Sequence, residues 1–519
     1  MDLASLFEFA VTRYPQHTAL VDGEYRLSYE ELNTHACRLA AGLQSLGITQ
    51  GDRIVLIMKN RMEMVIFYWA VQKIGAVFTP INFRLSADEV RYCIQDADAK
   101  AVVYEPVSED VVLEATKEAR PLLISVLGAQ GTELTYEQLL ETDVRGFQQP
   151  QITDEEICLM LYTSGTTGRP KGVPRSHKNE YGAALAHIIQ NQYIRHESTI
   201  GVMPLYHTMG MRSLLSTMFL NGKLVMIPDY DAALTLKILA DEKISCVYLV
   251  PTIIHDLIHH PDFEQYDLSA LKKVGYAGAP MTTTLIDKCF EKIKPDVFVN
   301  HYGSTEVYTF SICDYLDRKP GSAGKAGFHQ QLQVVTPDPE GKSKPSDIVS
   351  PGEPGEIIVN TKSIEAFKGY WNKPDATRKA IRDGWYFTGD MGVIDEEGDL
   401  YVVGRVDDMI ISGGENIHPL EVEDVIAKHP KVFEVAVVGL PHERWGQEVT
   451  AFVVAKDNTL TAEELDQFCK SSSDLANFKR PKKYVFISEI PKSPVGKILR
   501  RKLIAGEYQT VGEHSNLKV

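Results

Sequence analysis

Cysteine is scarce in this chain, and its distribution limits the roles it can play. The 519-residue sequence holds seven cysteines, an odd number, and no two of them form a C-x-x-C pair. Such pairs are typical of zinc sites, and closely spaced even sets are typical of disulfide scaffolds. The pattern argues against both and favours a reduced, cytoplasmic protein.

A long apolar run and a basic N-terminal segment are also missing. The most hydrophobic stretch covers only residues 64–71, whereas a membrane-spanning helix needs about 20 apolar residues. The first eight residues include Asp2 and Glu8 and contain no Lys or Arg, which argues against a signal peptide. We therefore expect no membrane span.

Positive charge is in deficit. Lys and Arg number 54 against 70 Asp and Glu, which gives a formal net charge of −16. Because nucleic acids are bound through dense positive surfaces, we expect no nucleic-acid partner. Smaller anions stay open as ligands, since charges act only over about 8 Å at physiological salt. Local basic clusters occur at 478–483 and 500–502.

Two familiar catalytic or nucleotide-binding motifs are absent. The chain has no G-x-S-x-G elbow, which argues against α/β-hydrolase chemistry. A Walker A loop requires G-x-x-x-x-G-K-[ST]. The segment Gly341-Lys342-Ser343 has the right ending, but Thr336 stands where the leading glycine is required.

The most informative segment that is present covers residues 162–172 and reads Y-T-S-G-T-T-G-R-P-K-G. Its glycines permit a close backbone approach to a ligand, and its N–H and hydroxyl groups can line a concave anion site. The apolar run 157–161 before it predicts a buried strand, and nucleotides often bind where such a strand ends. We interpret the segment as a phosphate loop of a non-Walker kind. A Gly/Thr turn without a ligand is the alternative.

The rhythm of apolar residues predicts an α/β architecture for most of the chain. Residues 53–58 predict a strand, 63–74 a helix and 76–81 a second strand, which together make a βαβ unit with parallel strands. A similar rhythm recurs between 223 and 250. From about 309 to 359 the alternation of Gly, Pro, Asp and Val or Ile indicates a smaller, more antiparallel β region.

A domain boundary is expected at Gly404-Arg405-Val406-Asp407. Beyond it, 421–429 predicts a helix, and 432–438 and 449–454 predict strands, so this part is a compact α+β module. The fold class is therefore α/β and α+β, multidomain. The expected division is an N-terminal domain at 1–404, a hinge at 405–407 and a C-terminal domain at 408–519.

Five motifs in one order resemble those of the adenylate-forming superfamily, which includes acyl-CoA ligases, carrier-loading adenylation domains and beetle luciferases. The phosphate loop is the first. The others are Y-G-S-T-E at 302–306, G-W-Y-F-T-G-D at 384–390, G-R-V-D-D at 404–408 and P-V-G-K at 494–497. They resemble the adenine and metal, ribose, hinge and catalytic-lysine motifs. The resemblance implies a large N-terminal domain of βαβ-rich sheets, a mobile C-terminal lid, and an active site between them.

The resemblance also implies two half reactions, with ATP and Mg²⁺ used in the first and coenzyme A in the second. A carboxylate attacks the α-phosphorus of ATP, and a thiol then attacks the acyl-adenylate. Lys497 is implied to bridge the carboxylate and the ribose–phosphate oxygens, and His207 to stand beside the carboxylate; a surface lysine and a buried structural histidine are the alternatives. Glu306 and Thr166 are implied to hold Mg²⁺. The implied ATP-binding set is Thr163, Ser164, Gly165, Thr166, Thr167, Gly168, Lys171, Tyr302, Gly303, Ser304, Thr305, Glu306, Asp390 and Arg405.

By the same resemblance the C-terminal domain rotates about Asp407 between the two steps. Gly413 and Gly414 would line the tunnel for the pantetheine of CoA, and Trp445 would pack against it. Arg480, Lys482 and Phe478 would contact the nucleotide of CoA. Core packing is an equally weighted alternative for Trp445, and a plain loop is the alternative for the glycines. The implied CoA-binding residues are Gly413, Gly414, Trp445, Phe478, Arg480, Lys482 and, more weakly, Arg84.

The substrate is expected to be a carboxylic acid without an amino group. Amino-acid-activating domains carry an aspartate for the substrate ammonium in the segment that corresponds to 206–210, and no aspartate stands there. The segments 407–419, 444–447 and 478–482 resemble those of 4-chlorobenzoate and benzoate-type CoA ligases, although they do not touch the acid. His301 and Tyr308 are more polar than the chlorobenzoate pattern, which favours a hydroxylated or otherwise polar acid. The implied acid pocket comprises 181–188, His207, Thr208, Met209, Tyr276, Ala277, Gly278, His301, Gly303, Tyr308 and Thr309.

We therefore expect a cytoplasmic, ATP-dependent CoA ligase for an aromatic, benzoate-like acid, with homodimer formation left open. A ligase for medium- or long-chain fatty acids is the nearest alternative, and pocket length distinguishes the two. Acyl transfer to a carrier protein is a further alternative, against which the basic segment 478–483 weighs. A luciferase-like oxidation has no specific support. The joint presence of Glu306, Asp390, Arg405 and Lys497 argues against a non-catalytic nucleotide-binding protein.

Overall fold

A computed structural model describes residues 1–163, 169–338, 342–413, 415–472, 474–492 and 498–511. The chain divides into two compact units. The first unit holds residues 1–331 and 360–386, and the second holds 332–359 and 387–519. The units therefore separate at other points than residue 404. The hinge at 405–407 concerns a motion between two states, and it stays a prediction.

Helices and strands alternate through much of the chain. The helices are α1 (Leu3–Arg13), α2 (Tyr29–Ser45), α3 (Met62–Lys73), α4 (Ala87–Asp96), α5 (Glu109–Ala115), α6 (Tyr136–Leu140), α7 (His177–Gln190), α8 (Thr208–Phe219), α9 (Ala232–Asp241), α10 (Pro251–His259), α11 (Thr283–Lys292), α12 (Pro374–Ala380), α13 (Pro419–Ala427), α14 (Ala462–Ser471) and α15 (Arg500–Ile504).

The strands lie mostly in the first unit. They are β1 (Thr18–Asp22), β2 (Tyr25–Ser28), β3 (Arg53–Ile57), β4 (Val77–Pro80), β5 (Ala99–Tyr104), β6 (Leu122–Ser125), β7 (Ile157–Thr163), β8 (Lys171–Ser176), β9 (Ser198–Gly201), β10 (Lys223–Met226), β11 (Cys246–Leu249), β12 (Lys273–Tyr276), β13 (Val297–Tyr302), β14 (Ser311–Cys313), β15 (Lys325–Ala326), β16 (Leu332–Val335), β17 (Gly355–Asn360), β18 (Ile381–Arg382), β19 (Trp385–Ile394), β20 (Leu400–Arg405), β21 (Ile410–Ser412), β22 (Glu415–Ile417), β23 (Val432–His442), β24 (Gly446–Ala455) and β25 (Lys483–Phe486).

The first unit contains three mixed sheets, two of them mainly parallel and the third with two parallel and two antiparallel pairings. A six-stranded sheet has the order β6-β5-β3-β4-β7-β8, a four-stranded sheet the order β2-β1-β10-β9, and a five-stranded sheet the order β11-β12-β13-β14-β15. Strands β3 and β4 pair in parallel, which confirms the predicted βαβ unit. Strands β10 and β11 lie in different sheets, so the second apolar rhythm does not close a βαβ unit within one sheet.

The apolar run at 64–71 lies inside α3, a helix that is buried on all sides. Residues 64–73 are all buried, and the Trp69 ring stacks on Phe7 at a centroid distance of 4.1 Å. A helix that is apolar on every face belongs in a protein core or a membrane. Here it packs between other elements of the first unit, and no helix formed by the described residues is long and apolar enough to cross a bilayer.

The second unit combines two sheets. Strand β17 lies between β16 and β19, and β20 pairs antiparallel with β19. The other sheet has the order β22-β21-β24-β23, with β25 added in parallel to β24. Apolar side chains of α13 and α14 cover one face of this sheet, and Leu503 of α15 packs on the other. The predicted α+β module is therefore present.

Candidate active site

The glycine-rich segment joins two antiparallel strands of the first unit. Thr163 at the end of β7 and Lys171 at the start of β8 are partners in the ladder. A Walker A loop instead leads from a strand into a helix, so the hairpin agrees with a phosphate loop of another kind. Residues Ser164, Gly165, Thr166, Thr167 and Gly168, which were predicted to bind phosphate, lie outside the described residues.

Lys171 and Glu306 are brought together through Tyr370, which lies between them. The Lys171 ammonium stands 4.5 Å from the centre of the Tyr370 ring, and the Tyr370 hydroxyl donates a hydrogen bond of 2.8 Å to Glu306 Oε1. The main chain of Glu306 is held as well, since its carbonyl oxygen accepts from Arg175 Nη1 at 3.2 Å and from the Phe367 N–H at 2.8 Å. A cation and a carboxylate thus contact the same tyrosine side chain, one at its ring and one at its hydroxyl.

The segment 302–309 turns tightly at Gly303. A Cβ on this glycine would lie 1.7 Å from the carbonyl oxygen of Tyr308, so any other residue would force the turn apart. The Ser304 hydroxyl accepts a hydrogen bond from the N–H of Glu306 at 3.2 Å, which closes a tight turn around Thr305. Tyr302 ends β13, and its ring packs edge-on against Phe310. The predicted adenine motif therefore forms one ordered turn that leads to Glu306.

The surroundings of Glu306 fit a magnesium ion that is held mainly by its substrate. Mg²⁺ prefers oxygen ligands and is usually bound by one or two carboxylates together with phosphates and water. The carboxylate of Glu306 is anchored by Tyr370, and only 8% of the residue is exposed. No group of three or more His, Cys, Asp or Glu able to hold a metal occurs in the part of the chain that the structure describes. The donors besides Glu306 would therefore come mainly from the nucleotide and from water.

His207 caps the N-terminus of α8. Its Nδ1 accepts the N–H of Met209 at 3.3 Å, which places the proton of the neutral ring on Nε2. Burial, with a smaller effect of the Arg212 cation, lowers the pKa of His207 to about 4. The ring is therefore neutral at pH 7, and its Nε2–H is a hydrogen-bond donor.

Other predicted pocket residues of the first unit gather near this end of α8. Thr208 and Met209 are buried in the first turn, and Ala277 follows β12. The sulfur of Met209 would lie 4.0 Å from a Cβ built on Gly278, so these two segments meet. Tyr276 is fully buried at the end of β12.

Tyr308 is directed into a buried network of charged side chains. Its hydroxyl donates to Glu180 Oε2 at 3.1 Å, and the guanidinium of Arg175 lies 3.9 Å from its ring centre. Arg212 covers the ring at 5.1 Å. Arg175 and Glu180 are fully buried and form an ion pair of 2.9 Å. The hydroxyl of Tyr308 therefore has a protein partner, and whether the ring lines the acid pocket stays a prediction.

Asp390 and Arg405 form an ion pair in the second unit. They are ladder partners on β19 and β20, and Arg405 Nη1 lies 2.5 Å from Asp390 Oδ1. The adjacent turn is closed by a hydrogen bond of 2.9 Å from the Val406 N–H to the Gly389 carbonyl. The ribose motif and the hinge motif therefore share one hairpin, and Asp407 follows directly after it.

The predicted CoA-binding residues do not all come together. Gly413 lies against Trp445, whose ring would stand 2.9 Å from a Cβ on that glycine, and the indole is 41% exposed. Arg480 is buried and paired with Asp466. Burial, followed by the nearby cations of Arg480 and Lys470, lowers the pKa of Lys482. Phe478 is half exposed. Arg84 belongs to the first unit, and Gly414 and Lys497 lie outside the described residues.

Several residues at these sites could not be recognised from the sequence. Tyr370 contacts both Lys171, the predicted phosphate ligand, and Glu306, the predicted metal ligand. The only local signal in the sequence is the glycine before it, Gly369, which adopts a φ of 145° in the structure. Arg175 and Arg212 are buried arginines on β8 and α8. Nothing in the local sequence distinguishes them from exposed arginines, because the sequence does not show that their carboxylate partners, Glu180 and Glu365, are buried.

Comparison with known proteins assigns the family. The profile described as AMP-binding enzyme matches residues 7–371, and the one described as AMP-binding enzyme C-terminal domain matches 421–497. The long-chain-fatty-acid–CoA ligase FadD13 of Mycobacterium tuberculosis is 33% identical over 482 residues, which cover 92% of each chain. The 2-succinylbenzoate–CoA ligase of Bacillus mycoides is 34% identical over 493 residues, 94% of this chain and 95% of that one.

The structural comparison agrees with the sequence comparison. ATP-bound MatB from Rhodopseudomonas palustris superposes with a TM-score of 0.88 at 28% identity, over 98% of this chain and 99% of that one. The family profile covers more than half of the chain and includes the phosphate loop, His207 and Glu306. The chain therefore belongs to the AMP-binding enzyme family, the adenylate-forming superfamily whose motifs its sequence carries.

Proposed function

We propose that this protein is an AMP-forming acid–CoA ligase and that its acid is aromatic. In the first step the carboxylate of the acid attacks the α-phosphorus of ATP, an O–P bond forms, and pyrophosphate leaves. In the second step the sulfur of CoA bonds to the carbonyl carbon of the acyl-adenylate and AMP leaves, while the thiol proton passes to solvent. Both relatives named above are CoA ligases, one for an aromatic acid and one for long-chain fatty acids.

The observation that carries the proposal is the arrangement of Lys171, Tyr370 and Glu306. The first step brings two anions together, so the protein must supply fixed positive charge and a site for a divalent cation. Lys171 begins β8 after the phosphate loop, and Lys171 and the Glu306 carboxylate both contact Tyr370. Lys171 would bind the phosphates, and Glu306 would hold Mg²⁺. When bound, Mg²⁺ neutralises phosphate charge.

His207 would bind the carboxylate of the acid in this scheme. A free carboxyl group has a pKa of about 4 and is ionised at pH 7, so the attack needs no general base. A neutral imidazole that donates from Nε2 can orient the carboxylate without removing its charge. Asp390, held by Arg405, would accept hydrogen bonds from the ribose hydroxyls. Lys497 would bridge the carboxylate and the nucleotide at the moment of attack.

Polar side chains at the inner end of the proposed acid pocket favour an aromatic acid over a long fatty chain. Arg212 lies five residues after His207 on the same helix, about 7.5 Å along its axis. Around it lie Tyr248, Thr309 and His301, all buried. A long acyl chain directed at these groups would end on polar atoms, among them His301 Nδ1, which has no partner among the described residues, and such a burial is unfavourable. A single ring with its substituents spans this length.

Release of AMP from Mg-ATP, with and without CoA, tests the proposal across benzoates, cinnamates and fatty acids of increasing length. We expect turnover that requires both an acid and CoA and is highest with aromatic acids. Highest turnover with long-chain acids would support the fatty-acid alternative. Adenylate formation that CoA does not accelerate would instead indicate a carrier protein as the acceptor.

Separate half reactions test the role of Lys497. Lys497→Ala should abolish adenylate formation, whereas thioester formation from added acyl-adenylate should remain largely intact. Lys456→Ala is a matched control, because Lys456 is an exposed lysine of the same unit whose ammonium donates to the carbonyl of Pro430. Equal loss of both half reactions in Lys497→Ala would contradict the assignment.

A further inference from the structure

Four polar side chains form a buried cluster at the inner end of the proposed acid pocket. His187 lies in the last turn of α7, and Asn191 is the C-terminal capping residue of that helix. Tyr248 lies on β11 and His301 on β13. The exposed fractions of His187, Tyr248 and His301 are 0%, 4% and 3%. The three rings lie 4.7 to 5.2 Å apart between centroids, in mutual contact. Such a buried polar cluster requires hydrogen-bond partners.

Asn191 fixes the tautomers of both histidines. Its Nδ2 donates to the carbonyl of His187 at 2.8 Å, which sets the orientation of the amide. The same Nδ2 lies 3.1 Å from His187 Nδ1, so that nitrogen accepts and the ring proton stands on Nε2. The Oδ1 of Asn191 lies 3.1 Å from His301 Nε2, so His301 donates from Nε2 and its Nδ1 carries no proton.

The two rings therefore present complementary groups on the sides that face away from Asn191. His187 offers an N–H donor at Nε2, and His301 offers an acceptor at Nδ1. Both atoms are buried and have no hydrogen-bond partner among the described residues. Burial also holds the pKa of both rings well below its usual value, so both stay neutral. One hydroxyl group can satisfy such a pair, because it donates one hydrogen bond and accepts others.

The surrounding backbone leaves room for this cluster. Gly275 on β12 is the ladder partner of Tyr248, and a Cβ there would lie 2.9 Å from Asn191 Oδ1 and 3.0 Å from the Tyr248 ring. A larger residue on this middle strand would displace Asn191 and with it the two histidines. The glycine precedes Tyr276, one of the predicted pocket residues.

The charge already present decides between a hydroxyl and a second carboxylate as ligand. Arg212 donates to Tyr248 OH at 3.2 Å and to Thr309 Oγ1 at 2.7 Å, and its Nη2 lies 3.7 Å from Glu365 Oε2. Arg212 thus has a buried countercharge. A second carboxylate on the acid would bring an unbalanced negative charge into this region, and it could not donate to His301.

We infer that His187 and His301 determine specificity by binding a neutral hydroxyl group on the aromatic ring of the acid, at the end opposite its carboxylate. This inference rests on the proposed function and narrows its substrate class to hydroxylated aromatic acids. His207 and the pair His187 and His301, the two inner histidines, would then mark the two ends of the bound acid.

The test compares kcat/KM for CoA-dependent AMP release with benzoate and with its meta- and para-hydroxy, fluoro and methoxy derivatives and benzenedicarboxylates. We expect the best hydroxybenzoate to exceed its fluoro counterpart by roughly 10-fold or more, since fluorine leaves His301 without a donor. Methoxy derivatives cannot donate either, and the dicarboxylates should rank below the hydroxy acids. This part of the test uses the unmodified protein and needs no variant.

Variants then test whether the preference for hydroxy over fluoro acids depends on His301. His301→Phe should reduce the hydroxy-to-fluoro ratio to about 1 by lowering turnover of the hydroxy acid only, and His301→Gln should restore part of the ratio. His259→Phe, at an exposed histidine of the same unit, should leave it unchanged. Equal kcat/KM for hydroxy and fluoro acids, or an unchanged ratio in His301→Phe, would overturn the inference while the ligase function stands. Absence of AMP release with every acid would overturn the proposed function, and the inference with it.

Discussion

Replacement of Tyr308 by phenylalanine separates a structural role of this residue from a role in substrate binding. Tyr308 is predicted from the sequence to line the acid pocket, whereas in the structure its hydroxyl donates to Glu180 and its ring contacts Arg175 and Arg212. Tyr308→Phe removes one oxygen atom and keeps the ring. We expect the substitution to lower the stability of the first unit and to leave the preference among acids unchanged.

The magnitude follows from the hydrogen bond that is lost. Glu180 is fully buried and accepts from Arg175 Nε at 2.9 Å and from Tyr308 OH at 3.1 Å. A hydrogen bond to a charged group contributes about 1.5–3 kcal/mol. The bond between Arg175 and Glu180 remains, so the full 3–5 kcal/mol cost of breaking a buried ion pair is not expected.

Urea unfolding of the wild type and Tyr308→Phe measures the effect, with Tyr68→Phe as a matched control. Tyr68 is also fully buried, but its hydroxyl has no hydrogen-bond partner within the described part of the chain. Because that hydroxyl is buried without a partner, its loss should leave the stability nearly unchanged or raise it. A Tyr308→Phe protein that is as stable as the wild type yet prefers less polar acids would refute the reasoning and place Tyr308 in the pocket.

Three further predictions concern the active site and the pH dependence of folding. Gly303→Ala should abolish AMP release, because its Cβ would lie 1.7 Å from the Tyr308 carbonyl oxygen; retained activity would contradict the tight turn. Arg405→Gln should raise the KM for ATP by about tenfold through loss of the bond to Asp390, and an unchanged KM would argue against a ribose site there. Burial lowers the pKa of His177 to about 4, and the unfolded chain binds this proton near pH 6.5. Stability should therefore fall by about 3 kcal/mol as the pH drops from 6.5 to 4, and His177→Gln should show a weaker decline in urea unfolding at these pH values.

Sequence patterns predicted the parts of the fold whose interacting residues lie close together in the sequence. The first βαβ unit, with β3, α3 and β4, was predicted within one or two residues at each end, and its parallel pairing is confirmed. Its helix is apolar on all faces, and a burial signal of that strength does not depend on distant partners. The family was predictable for a similar reason, because each of its motifs is a short continuous segment that can be recognised without knowledge of distant contacts.

Contacts between distant segments could not be predicted in this way. Strands β10 and β11 have the spacing of a βαβ unit, yet they belong to different sheets, and spacing alone does not determine the sheet. Tyr370 reaches Glu306 across 64 positions of sequence. The polarity of His301 was noticed, but its partner Asn191 lies 110 positions away. Pairings at such separations are set by packing, for which one sequence carries no signal.

The chemistry and the choice of acid are thus encoded at different places in the chain. Lys171, Glu306 and Asp390 would bind groups that every acid requires, namely phosphates, metal and ribose, so their motifs cannot distinguish a fatty acid from an aromatic one. If the proposed acid pocket is right, the choice would come from side chains on α7, α8, β11 and β13, where polar residues such as His301 stand in place of the apolar residues of the chlorobenzoate pattern. Because a buried donor or acceptor without a partner costs about 1–3 kcal/mol, one unpaired nitrogen can change a preference by ten- to a hundredfold. Substrate preference in this protein should therefore follow the hydrogen-bond partners of the two inner histidines more closely than its overall similarity to any relative.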